Sequence, residues 1–247
     1  LANDLRLPLR DLRVIDPTFP NQIQAAFLAR PRAVLFTLES IKVVVLRDQA
    51  LIFNPLNPDV QQFMAMLQQQ LTHVADDNSP LSPASVSSDE PEALRSPEYS
   101  PPVYTHVSTP FEHVVIETAL SLVCTTLAHK IRSLEPLVAS ALNDLRAESR
   151  GLDVLQTQVD ELLPLKNQLD ELHKKAKEVK RAILEVLQSD EDLALMCLSG
   201  STNPNKQQEA DRSVLPTKSV TDAQADTDTM SLEMLFENYL NEIEWIA

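Results

Sequence analysis

TPFEHVVIETALSLVCTTLAHKIRSLEPLVASALNDL, residues 109–145, decides the fold class. Thr109 suits an N-cap, Pro110 the first helical position and Glu112 the capping-box position, so a helix is expected to open here. Ile116, Leu120, Val123, Leu127, Ile131, Leu134, Val138, Leu142 and Leu145 then recur at a mean spacing near one α-helical turn. That spacing predicts one long helix with a buried face, kinked rather than ended at Pro136. Glu117 and several threonines interrupt its most apolar part. No run of about 18 uncharged apolar residues results, so the chain is not expected to span a membrane.

Downstream, Gly151 breaks this helix and a second apolar series begins: Leu155, Val159, Leu162, Leu169, Leu172, Ala176, Val179, Ile183 and Val186, with Lys and Glu on the other faces. The two helices should fold back as an antiparallel hairpin about 50 Å long, at about 1.5 Å per residue, with Pro164 a second kink. Ser189-Asp190-Glu191-Asp192 opens a short helix through Leu198 that ends near Gly200. Residues 201–229 are polar and aperiodic, as in a disordered linker. Ser231 then caps a final helix whose Leu232, Leu235, Phe236, Tyr239, Leu240, Ile243 and Ile246 form one stripe. The stripe is still periodic at the last residue, so this helix is expected to continue.

Upstream, short apolar runs at residues 12–15, 33–38, 41–46 and 50–53 are separated by breaks and predict a small sheet. Asn57-Pro58 caps a helix carrying Val60, Phe63, Met64, Leu67, Leu71 and Val74. Residues 76–108 are dense in Ser and Pro and carry four Ser-Pro steps; a disordered insertion is expected, either passive or phosphorylated. The fold class is α+β. A small, mainly antiparallel sheet with a packed helix fills residues 1–75, and the insertion fills 76–110. A long helical hairpin with an acidic turn follows at 111–200, then the linker at 201–229 and the start of a stalk helix at 230–247.

Composition narrows the function. A net charge of -15 over 247 residues argues against nucleic acid as a partner. Only Gly151 and Gly200 are glycine, and phosphate-cradling loops or nucleophile elbows need several. Cys124 and Cys197 lie far apart in helical contexts, which predicts reduced core thiols. His73, His106, His113, His129 and His173 show no i, i+4 pair and are read as surface or partly buried helix residues. Catalysis has no local signature, and an enzyme is not expected. The chain opens at Leu1 with no initiator methionine and no basic, apolar presequence, so its compartment is not legible.

Clustered carboxylates are the remaining chemistry. Magnesium takes oxygen ligands and keeps its waters, so a few carboxylates at a helix end can hold it loosely. Asp190, Glu191 and Asp192 form the tightest cluster. The same residues with Ser189 also match a capping box with acids favoured by the helix dipole, and both readings stand. Asp144 with Glu148, and Asp170 with Glu171, are weaker candidates.

The order of motifs resembles a known family. Leu9-Arg10-Asp11-Leu12-Arg13-Val14-Ile15-Asp16-Pro17, Pro31-Arg32-Ala33-Val34-Leu35 and Leu38-Glu39-Ser40-Ile41-Lys42 look like the opening of eukaryotic CorA-type magnesium channels of mitochondria, fungi and plants. Pro110-Phe111-Glu112 with Glu117 and Ala119-Leu120 is similar to the start of that family's first long helix. Leu187 through Asp190-Glu191-Asp192-Leu193 to Met196 resembles its acidic turn, and Leu232-Glu233-Met234-Leu235 with Glu237 and Tyr239 its stalk opening. The resemblance implies an α/β head and a stalk helix leading to two membrane helices, with five subunits around a magnesium pore. The family's Gly-Met-Asn signature does not occur in these residues. It further implies that weakly bound regulatory magnesium on head acids biases the pore toward closure, in the mitochondrial inner membrane with the head in the matrix. Plastid, vacuolar and plasma membranes are the alternative for a plant-like relative. Glu171 lies where some relatives carry a regulatory acid, but Lys175 stands one turn later where a second carboxylate would complete the pair. The rival reading is a free-standing helical scaffold for protein partners.

Overall fold

Residues 33–38 alternate so that Val34, Phe36 and Leu38 fall on one side of a strand and Ala33 and Leu35 on the other, and all of them are buried. In the computed structural model, which describes residues 8–12, 25–77, 109–147, 152–199 and 220–246, that strand lies inside a four-stranded antiparallel meander. β1 (Ala25–Arg30), β2 (Ala33–Leu38), β3 (Ile41–Val45) and β4 (Ala50–Ile52) pair in chain order. Phe27, Phe36, Val43 and Ile52 stand opposite one another in register and face the main core. Ala33, Leu35, Val44 and Leu46 face a smaller core shared with Leu12 of α1 (Leu9–Leu12). Asp11 of that turn accepts a 2.6 Å hydrogen bond from Arg30 Nε, tying α1 to the end of β1.

The first strand corrects the expectation. Leu12 is helical and residues 13–15 lie outside the described residues, whereas Ala25–Arg30, rich in helix-forming Ala and Leu, is a strand. Its pairing along all of β2 overrides local propensity.

The helices pack on the main-core face. α2 (Pro58–Asp77) begins at the expected proline, with Asn57 Oδ1 accepting from the Asp59 amide. α3 (Phe111–Ala147) and α4 (Leu152–Leu187), both continuous through their prolines, pack together as a hairpin does. α4 and α5 (Asp190–Met196) lie against β1, and α6 (Val220–Ile246) lies along both hairpin helices. Residues 78–108, Gly151, Gly200 and residues 201–219 lie outside the described residues, as do the expectations placed on them.

Burial of α3 changes along its length. From Glu112 to Leu120 every residue except Glu117 is buried, while from Glu135 to Asn143 the residues are exposed or half-buried. Leu137, Leu142, Leu163 and Leu169 are therefore largely exposed at the far end of the hairpin, although Leu142 and Leu169 belonged to the stripes expected to be buried. By length and composition alone α3 is also apolar enough to cross a membrane, with Glu117 interrupting its most apolar part as read from the sequence. More than half of its apolar stretch is buried against the sheet and neighbouring helices, as in a core helix.

α6 opens at Val220, eleven residues before the expected cap Ser231. Asp228, one turn before Leu232 on the same side, is buried. A polar residue in that stripe hides the helix from an apolar-periodicity search. The stripe itself holds: Leu232, Phe236 and Ile243 are fully buried, and Phe236 meets Phe27 of β1 edge-on at 5.2 Å between ring centroids.

Candidate functional site

Where α3 starts, α5 ends and α6 passes, polar groups are sealed into the core. Glu112, fully buried, does not cap its own helix as expected. Its Oε1 accepts from the Ser199 amide at 2.7 Å and its Oε2 from the Ser199 hydroxyl at 2.8 Å. The Val114 amide donates to the Pro110 carbonyl, which places Pro110 itself at the cap. His113, expected at or near the surface, is 1% exposed. Its Nε2 lies 3.9 Å from Cys197 Sγ, which lies 3.6 Å from Thr229 Oγ1 on α6. Its Nδ1 is buried without a hydrogen-bond partner, an arrangement that costs about 1–3 kcal/mol. Burial pushes His113 below the ordinary histidine range, against the raising effect of Glu112 and Asp228. Both cysteines are buried free thiols, as expected. Burial, helped by the charge of Glu242, pushes Cys124 up to about 12, and burial also raises Cys197.

The acidic turn forms through its cap. Ser189 is extended and its hydroxyl accepts from the Asp192 amide at 3.2 Å, so Asp190, Glu191 and Asp192 occupy the first turn of α5, where acids favour the helix dipole. Asp190 and Glu191 are exposed, Asp192 is half-buried, and the negative charge of Asp192 reaches Arg30.

Glu171 is held differently. Lys175 Nζ lies 3.1 Å from Glu171 Oε1 and 3.7 Å from Glu39 Oε2, bridging α4 to the β2–β3 turn. Burial lowers the Lys175 pKa, but the hydrogen bond to Glu171 and the charge of Glu39 outweigh it, and the net shift is upward. Glu39 has φ 53, a left-handed conformation that costs a side-chain-bearing residue about 1–2 kcal/mol, and its Oε1 is buried without a partner. An ammonium thus already occupies the space between two carboxylates drawn from separate elements. Neither Glu39 nor its position was legible as part of this site; its left-handed turn is visible only in the fold. Asp144 lies on α3, with its side chain outside the described residues. Among the described residues, no three His, Cys, Asp or Glu side chains converge as a metal-holding group.

A cleft of about 750 Å³ opens between the start of α3 and the middle of α6. Glu117, Glu242 and Tyr239 line it together with His113, Met230 and Met234.

An antiparallel sheet under a helical hairpin, with a third long helix locked along both and carboxylates gathered at helix ends, makes this an acid-rich α+β domain. The chain belongs to the MRS2-like magnesium transporter family, whose model matches residues 1–247. It is 29% identical to magnesium transporter MRS2-4 of Arabidopsis thaliana over 83% of this chain and 44% of the relative. It is 28% identical to the putative magnesium transporter MRS2-G of Oryza sativa subsp. japonica over 97% and 55%. Identity to magnesium transporter MRS2-1 of Arabidopsis thaliana is 30%, over 78% and 42%. The chain spans about half the length of the curated relatives it matches. These relatives are named as transporters, not enzymes.

Proposed function

We propose that these residues form the magnesium-sensing and assembly portion of a magnesium channel that carries the ion across a membrane. The family match over residues 1–247 is the observation that carries this reading. In it, hydrated magnesium binds weakly at Asp190, Glu191 and Asp192, with Asp144 and Glu171 as secondary carboxylates, and waters bridge the ion to the protein. A ligand that binds one arrangement of the head better shifts the population toward it, and α6, packed on both hairpin helices, carries that shift toward the pore. The assembled channel is a homopentamer anchored by membrane helices outside these residues. Its site is the mitochondrial inner membrane with the head in the matrix; the plant relatives support plastid, vacuolar or plasma membrane as the alternative.

Millimolar magnesium is expected to raise the melting temperature of this chain and to give a weak calorimetric isotherm. Replacing Asp190, Glu191 and Asp192 together by alanine should abolish most of that response. No response in the parent chain removes the sensing role. The largely exposed Leu137, Leu142, Leu163 and Leu169 favour a second reading, a helical scaffold for protein partners, which then takes its place.

A further inference from the structure

The cleft between α3 and α6 has a composition that the magnesium reading does not use. Glu117 and Glu242 approach it from the two helices, and neither Lys nor Arg is among its lining residues. Met230 and Met234 are 63% and 62% exposed beside them, large apolar surface on an otherwise acidic helix. His113 also lines the cleft, almost completely buried, with Nδ1 unpartnered. When Nε2–H points to Cys197 Sγ, Nδ1 is a lone-pair acceptor. Two carboxylates in a lining without Lys or Arg call for a cation. The methionines call for a hydrocarbon body, which flexible thioethers cover well. The volume lies in the range of small-molecule sites, far larger than a bare metal ion needs.

We propose that this cleft binds an organic cation of the alkylammonium class, a linear aliphatic polyamine, with its ammonium groups on Glu117 and Glu242 and its methylene chain along Met230 and Met234. Tyr239, half-buried between the two acids, supports this placement: burial raises its hydroxyl, the charges of Glu117 and Glu242 raise it further, and a hydrogen bond to Ser121 opposes them.

The test is calorimetric titration of the 247-residue chain with spermidine. Histidine-selective NMR follows the ring nitrogens of His113 in the same samples. Saturable binding is expected, with the His113 nitrogens shifting. The double variant E117Q/E242Q should bind about tenfold more weakly, as expected for loss of two partly exposed ion pairs. The variant E135Q/E185Q, which removes the same charge elsewhere on the surface, should bind as the parent does. A neutral diol of matching length should not bind. Equal weakening in both double variants would mean diffuse attraction to an acidic protein, and overturns the proposal. So does magnesium binding at the same place with the same dependence on Glu117 and Glu242, which would make the cleft a metal site.

Discussion

Glu112 and Ser199 stand 87 residues apart in sequence and share two hydrogen bonds inside the core, at 2.7 and 2.8 Å. One carboxylate thereby joins the first turn of α3 to the chain leaving α5. Bonds to a charged acceptor contribute about 1.5–3 kcal/mol each, and truncation leaves the Ser199 amide without its partner. Glu112→Ala should lower unfolding free energy by about 3 kcal/mol in urea titrations, and Ser199→Ala by about 1 kcal/mol because the amide bond survives. Equal, small losses would show that the pair contributes little.

His113 sets a pH dependence. Its pKa is lowered in the fold, first by burial, so at pH values below about 6.5 the unfolded chain takes up a proton that the folded chain resists. Stability is present above that value and is lost as pH falls through the window below it, by at most about 1.4 kcal/mol per pH unit from this group. Urea unfolding at pH 7.5 and 5.5 should show a smaller acid loss in His113→Gln than in the parent chain.

Lys175 acts as a tethered cation between Glu39 and Glu171. Lys175→Asp should place three carboxylates together and depress the melting temperature without metal. Millimolar magnesium should then recover stability well beyond its effect on the parent. Thermal scans with and without magnesium decide this, and a depressed value that magnesium leaves unchanged would mean that the three side chains do not converge.

At the acidic turn, cap and cation make separable predictions. Ser189→Ala removes the hydroxyl that accepts from the Asp192 amide and should cost about 1 kcal/mol with or without magnesium. Replacing Asp190, Glu191 and Asp192 by their amides should leave the cap and remove the magnesium-dependent increment. Denaturant midpoints in both conditions separate the two effects.

The long helices were legible because Leu120, Val123 and Leu127, and later Val179, Ile183 and Val186, repeat at the period that a helix imposes on one buried face. β1 was not, because Ala25-Ala26-Phe27-Leu28-Ala29-Arg30 carries helix-forming residues and becomes a strand through Phe36 and its neighbours on β2. The first turns of α6 were hidden by Asp228, a buried polar residue in an apolar register. Ser189 and the acids of α5 were readable because a cap is local. The partners of Glu112, His113 and Lys175 were harder: Ser199, Cys197 and Glu39 are distant along the chain, and only folding brings each pair together.

Phe236, fully buried, presses edge-on against Phe27, and a close-packed core resists small continuous displacement. α6 cannot creep about its axis past that ring. It must hold its setting or jump to another in which the two aromatics have repacked, so the contact works as a detent on the turning of the helix.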